Sequence, residues 1–236
     1  MNSLIYFKNC ASTQDEIIDF INTHHLTEDF LAVYTFNQTK GRGQYGNSWE
    51  AKPQENLAYS FAVKIKNINL SYNLLNFYTA ILVRDFIANL TKTDVKIKWP
   101  NDLILKNKKI CGMLFEKKGD YIIAGIGINI LQQNFENLPK AASILTQTNV
   151  SYDLESFVNG LHQYIFKNIL TDNFPENIIE RYNFHLYKKE EISVFEKNKT
   201  RQNGIIKNAD ELGNLWVDLE NEGLQKFFHK EIEMLY

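Results

Sequence analysis

Two cysteines and four prolines in 236 residues leave little that could staple or stiffen this chain. Cys10 and Cys111 are too few for a disulfide framework and read as reduced, packed thiols. No apolar run approaches the roughly 18 residues that a membrane helix needs. The N-terminus also lacks a basic segment followed by a sustained apolar core, so a cytoplasmic protein is expected. Neither sign of charge dominates: the formal net charge is -2, with no basic excess to argue for nucleic acid, so any positive charge that matters has to be local. Of the five histidines, His24 and His25 adjoin while His162, His185 and His229 are scattered; no metal-ligand spacing emerges and no fixed metal site is expected. Repeats and low-complexity tracts are lacking too.

What is there suits one sizeable core with a small appended domain: 44% of the residues are hydrophobic. Leu4 to Phe7 reads as a short strand. Thr13 followed by Glu16 is a capping-box pattern that should open a helix near Ser12. Phe30 to Phe36 reads as a buried strand and Asn56 to Ile65 as a half-buried one, with the stretch between them a loop at a sheet edge. Ser71 should cap a long helix whose stripe is Leu75, Tyr78, Leu82, Phe86 and Leu90. An antiparallel meander is expected next, over Val95 to Trp99, Leu103 to Lys106, Ile110 to Glu116 and Tyr121 to Ile130. The apolar edge of its last member, Ile122 to Ile130, could pair in a homodimer. Helices follow over Tyr152 to Leu170 and from Pro175. Beyond Tyr187 five short strands suggest a small barrel, which by itself would be marginal.

Two stretches carry the chemistry. Between Phe36 and Trp49, Gly41, Gly43 and Gly46 permit unusual backbone angles and close approach, while Lys40 and Arg42 supply charge and Gln38 and Gln44 supply neutral donors. Alone, such a loop is an ordinary surface feature. The second is Lys98-Trp-Pro-Asn-Asp102, followed by Lys109 and Gly112. Asn101 and Asp102 fall in a tight turn, and Lys109 leads into a strand whose glycine admits another group.

Ser12-Thr13-Gln14, the glycine loop, Lys98 to Asp102, Lys109 with Gly112, and Gly125-Ile-Gly-Ile-Asn129 occur in the order found in biotin–protein ligases, and the chain resembles that family throughout its catalytic region. The resemblance implies an α+β fold with a mixed, largely antiparallel sheet, related to class II aminoacyl-tRNA synthetases and lipoate ligases. It places a catalytic domain over residues 1–186 and a small SH3-like β-barrel over 187–236. It further implies activation of biotin by ATP and Mg²⁺ to biotinyl-5′-AMP, then transfer to a lysine of a biotin carboxyl carrier protein. Because the chain opens directly on the catalytic strand, no N-terminal winged helix is expected, and the implied protein is a ligase only. Carried over by position, Ser12, Thr13, Gln14, Gln38, Gly41, Arg42, Gly43, Gln44, Lys109 and Gly112 would meet biotin. Arg42, Trp49, Asn101, Asp102, Lys109 and Asn129 would meet the nucleotide, with Lys109, Arg42 and Asp102 catalytic.

Some positions depart from the family pattern. Gln44 and Asn47 stand where many relatives have arginines, so the intermediate would be held by neutral donors or leak. Glu231 to Tyr236 lacks a terminal arginine found in some relatives, which puts a contact between the barrel and ATP in doubt. A carboxylate is already a nucleophile at neutral pH, so activation needs no general base and catalysis should be positional and electrostatic. The rival readings are a lipoate–protein ligase, which shares the fold but normally has an Arg-x-Ser-Gly-Gly-Gly type of loop, and a nucleic-acid-binding regulator using the lysine clusters.

Overall fold

The computed structural model describes residues 3–24, 29–136, 138–171 and 173–235; His25 and Tyr236, named above, lie outside these residues. Strand β1 (Ser3–Tyr6), helix α1 (Thr13–His24) and strand β2 (Phe30–Thr35) form a crossover unit, which is why β1 and β2 lie parallel. After a two-stranded ribbon, β3 (Gly41–Arg42) with β4 (Ser48–Trp49), the chain runs through β5 (Asn56–Lys64), α2 (Tyr72–Thr91), β6 (Val95–Lys98), β7 (Asp102–Leu105), β8 (Lys108–Lys118) and β9 (Tyr121–Asn129). The main sheet has the order β1-β2-β5-β9-β8-β7-β6, antiparallel except at β1–β2, so the expected mixed sheet and meander are present.

Two expectations fail for one reason. β5 and β9 are neighbours in the middle of the sheet, so Asn56–Val63 is buried on both faces instead of half-buried, and Ile122 to Ile130 offers no edge for a second copy. On one face α1 closes a small cluster of Ile17, Val33, Ala62 and Ile123. The opposite face, bearing Tyr59 and Phe61, is covered by α4 (Leu154–Ile169) and joins the large core.

Ser71 caps α2 through a bond from the Leu74 amide (3.2 Å), as expected. The helix is buried almost all round from Leu75 to Val83, because the sheet lies on one side and α4 and α5 (Ile178–Phe184) on others; Leu90, assigned to its stripe, is 39% exposed. Helix α5 begins three residues after Pro175. An unforeseen short helix, α3 (Ile144–Thr148), is opened by a capping box between Ser143 and Thr146.

The five C-terminal strands are all present: β10 (Ile192–Lys197), β11 (Thr200–Ala209), β12 (Leu215–Leu219), β13 (Gly223–Phe227) and β14 (Glu233–Leu235), in an antiparallel sheet of order β13-β12-β11-β10-β14. Outer strands β13 and β14 share no ladder among the described residues. This sheet leans on the first. Ile97 of β6 is bracketed by His185 and Tyr187 through backbone bonds of 2.8 Å, and the Asn183 amide clamps Ala209. Trp99 Nε1 donates to the Gly213 carbonyl at 3.1 Å. Tyr182 stacks on Phe77 at 4.0 Å and donates its hydroxyl to the Pro100 carbonyl, fixing the Trp-Pro hairpin from beneath.

Within α4, His162 is buried beside the Tyr59 hydroxyl (3.0 Å), and burial pushes its pKa down to about 4. The unfolded chain therefore binds a proton that the folded chain refuses, so stability is complete above about pH 6.5 and lost as pH falls toward 4. Urea unfolding at pH 7.5 and 4.5 should show a loss on the order of 3 kcal/mol from this group, by about 1.4 kcal/mol per pH unit, and His162→Gln should flatten that component of the slope.

Candidate functional site

Where β5, β9 and β8 run side by side, Ala58 faces Gly127 and Gly127 faces Gly112, one step along from the row Ser60, Gly125 and Leu114. Residues of the same strand parity share a face, so the middle of the sheet presents a strip almost bare of side chains. These glycines are required by close approach. A Cβ on Gly127 would stand 2.4 Å from Trp49 Cε2, one on Gly112 3.0 Å from Trp49 Cζ3, and one on Gly125 2.3 Å from Gln14 Oε1. The Trp49 indole thus lies flat against the strip, and its buried Nε1 has no hydrogen-bond partner among the described residues.

The glycine loop is not at a sheet edge, since it joins two interior neighbours, β2 and β5. It turns over the end of the sheet as the β3–β4 ribbon, in which Gly41 pairs with Trp49 and Arg42 with Ser48. The Thr39 and Lys40 amides donate to the carbonyls of Cys10 and Ala11 and seat the lid on the approach to α1. Gly41 lies under Trp49, where a Cβ would meet the Trp49 carbonyl at 2.3 Å.

At the start of α1 the cap is Ser12, one residue before the Thr13–Glu16 pattern suggests: its Oγ accepts the Asp15 amide. Thr13 is thereby released to the site. Its Oγ1 lies 2.8 Å from Ser60 Oγ, and Gln38 Oε1 accepts both its amide (2.8 Å) and its hydroxyl (3.2 Å).

Across the strip, Lys109 Nζ is 2.8 Å from Asp102 Oδ1 and 5.8 Å from the centre of the Trp49 ring. The Lys109 backbone is held between β7 and the segment 140–142: its amide donates to the Lys140 carbonyl, and its carbonyl accepts from Ala142. Arg42 is paired with Asp15 and with Glu116 (2.6 Å), so both cations expected to meet a ligand already face carboxylates.

One cavity of about 680 Å³ joins these parts. Ser12, Thr13, Gln14 and Gln38 line one side, Arg42, Gly43, Gln44 and Trp49 the lid, and Asp102, Lys109 and Gly112 the other side. Three expected residues do not line it. Gly41 is covered by the lid's own tryptophan. Asn101 is buried, donating to Asn76 Oδ1 (2.9 Å) and accepting from Gln44 (3.4 Å). Asn129 is turned away, donating to the Ala142 carbonyl (3.0 Å) and so bracing the segment that holds Lys109.

Other lining residues were not anticipated. Lys98 lines the wall, and burial lowers its pKa while Asp102 opposes the shift. His229 and Lys230, from the β13–β14 connection, bring the C-terminal sheet to the same cavity. Burial pushes the His229 imidazole below its usual value, and its ring stands edge-on to Trp99 at 5.4 Å. Lys98 sits inside the recognised motif, yet nothing in its spacing shows which way it faces; His229 and Lys230 gave no signal.

The sequence pattern of the biotin/lipoate A/B protein ligase family matches residues 6–132, just over half of the chain. The chain belongs to that family. It is similar to a biotin–[acetyl-CoA-carboxylase] ligase of Mycobacterium tuberculosis, 28% identical over 121 residues, which is 50% of this chain and 46% of that protein. It is also similar to the bifunctional ligase/repressor BirA of Bacillus subtilis, 25% identical over 98% of this chain and 74% of that one. This chain therefore spans less than half of the first of these relatives. In three dimensions it resembles the Aquifex aeolicus biotin protein ligase solved with biotin and ATP, with a TM-score of 0.83, 22% identity, and coverage of 100% and 99% of the two chains.

In this member of the family, the glycine strip is the feature most exposed to test. Gly127→Ala forces the indole to move, because the contact is far inside van der Waals distance. Trypsin should then cut after Lys40 or Arg42 about tenfold faster and the tryptophan emission should shift, with thermal unfolding lowered by only about the 1–3 kcal/mol of an overpacking change.

Proposed function

We propose that the protein activates biotin with Mg-ATP to biotinyl-5′-AMP and passes it to one lysine of the carboxyl carrier domain of acetyl-CoA carboxylase or a related carboxylase. The observation that carries this reading is the convergence of the lid, the start of α1 and the Lys98–Gly112 hairpin on one cavity whose floor is a glycine strip with the Trp49 ring against it. An uncharged, largely apolar bicycle and tail and a planar base can pack against such a surface, and few polar anchors suffice to orient them. The biotin and adenylate contacts proposed for Ser12 to Gln14, Gln38, Arg42 to Gln44, Trp49, Asp102, Lys109 and Gly112 rest on that convergence. Asn101 and Asn129 act by holding Gln44 and the 140–142 segment. The division at residue 186/187 into a catalytic and a C-terminal unit belongs to the same proposal.

The chemical task is to bring a carboxylate against a triphosphate and offset the charge that grows on the α-phosphate. Lys109, held by Asp102 at the edge of the strip, and Lys98 beside it are the cations placed for this; Arg42 secures the lid. Magnesium would arrive with ATP as part of the substrate. A carboxyl carrier protein is the proposed partner of the second step, in which the acceptor lysine must attack as the free amine.

Transfer of labelled biotin from biotin and ATP to a carboxylase carrier domain tests the whole reading. Calorimetry with biotin against lipoate separates the two branches of the family, and tight lipoate binding with none for biotin would reject it. Lys109→Ala should reduce pyrophosphate release about a hundredfold, the scale of removing one charge-stabilising donor, with the melting transition preserved. Gln44→Arg should slow escape of the labelled adenylate about tenfold, since a charge-assisted bond is roughly twice as strong as a neutral one; a trapping assay reads this directly.

A further inference from the structure

Glu116 lies on β8 four residues beyond Gly112, on the same face of the sheet, and its two carboxylate oxygens are divided between separate parts of the site. Oε1 accepts from Arg42 Nη2 at 2.6 Å, and Oε2 accepts from Gln14 Nε2 at 3.0 Å. Asp15, the neighbour of Gln14 on α1, takes the other side of the same guanidinium. We propose that Glu116 is a positioning residue that couples the seating of the lid to the orientation of the Gln14 amide, an inference that rests on the ligase reading above.

The chemistry is directional. A carboxylate only accepts, so it holds the Gln14 amide with its NH₂ end toward β8 and its oxygen toward the floor, where Oε1 meets Gly125 and the Ser60 hydroxyl (3.4 Å). That oxygen is presented to the cavity as an acceptor for an N–H group, of the kind a cyclic urea carries. The same carboxylate, with Asp15, neutralises Arg42, so the lid is drawn down by protein charges and needs no anionic ligand for its seat. Asp15 touches only the lid; Glu116 touches both. The two acids therefore differ in what they control.

Glu116→Gln and Asp15→Asn keep side-chain size and separate these roles. Removal of one charged hydrogen bond is worth about tenfold, so Glu116→Gln should raise the KM for biotin about tenfold in pyrophosphate release while kcat at saturating biotin stays within about threefold. Without added substrate, trypsin cleavage after Arg42 or Lys40 should quicken about fivefold in both variants, the scale of one exposed ion pair. Asp15→Asn should leave the KM for biotin within about twofold, since no bond to Gln14 is lost. In a Gln14→Ala background, Glu116→Gln should add nothing further to KM. A wild-type KM and cleavage rate in Glu116→Gln, or KM penalties that simply add with Gln14→Ala, overturn the coupling. Failure of the wild-type protein to release pyrophosphate from biotin and ATP would instead reject the ligase reading, and the cleavage comparison would still judge the lid.

Discussion

The site depends on a strip of sheet that has almost no side chains. The β8–β9 hairpin and the distant strand β5 contribute Gly112, Gly127 and Ala58 side by side, and only a settled register can align them. A shift by one residue would turn Leu57, Ile126 or Ile128 onto that face and fill the cavity. The buried middle of the sheet is therefore more than a core, since its packing against α2 and α4 fixes the register on which the floor depends. The cost of glycine in a strand, normally a loss of packing and of order, is offset here because α1 and the lid cover the glycine face itself.

Around that strip, the cations Lys109 and Arg42 are each met by carboxylates. Lys109 faces Asp102, and Arg42 faces Asp15 and Glu116, so an incoming anion meets cations whose positions are already set by protein partners. Such an arrangement limits the reorganisation required as charge develops and discourages the lysine from wandering on its flexible stem. Support continues outward. The backbone of Lys109 is bracketed by β7 and residues 140–142, and Asn129 braces that segment from the next strand.

Much of this was legible in the residues. The Lys98–Asp102 hairpin, the spaced Lys109 and Gly112 and the β-meander are local patterns with local physical causes, and they appear in the structure close to where the sequence puts them; the glycine loop is present too, but between interior strands and not at a sheet edge. The misreadings are those that depend on what lies across the sheet. Alternation in Asn56 to Ile65 could not disclose that β5 has neighbours and cover on every side. Nor could Arg42 announce the carboxylates that meet it, one of which is 74 residues away. Asn101 and Asn129 are in the right neighbourhood but face away, because each donates to an acceptor from another part of the chain, Asn76 on α2 and the Ala142 carbonyl before α3. The C-terminal strands were readable one by one, but the reach of His229 and Lys230 into the cavity depends on how the second sheet leans on β6.

The tryptophan that lies across the glycines bears on the thermodynamics of recognition. With its ring against Gly112 and Gly127, much of the floor is already out of contact with water. A planar guest taking that strip would exchange one aromatic surface for another, so part of the usual heat-capacity signature of apolar burial would be absent, and selectivity would rest on how well the guest fits compared with the protein's own side chain.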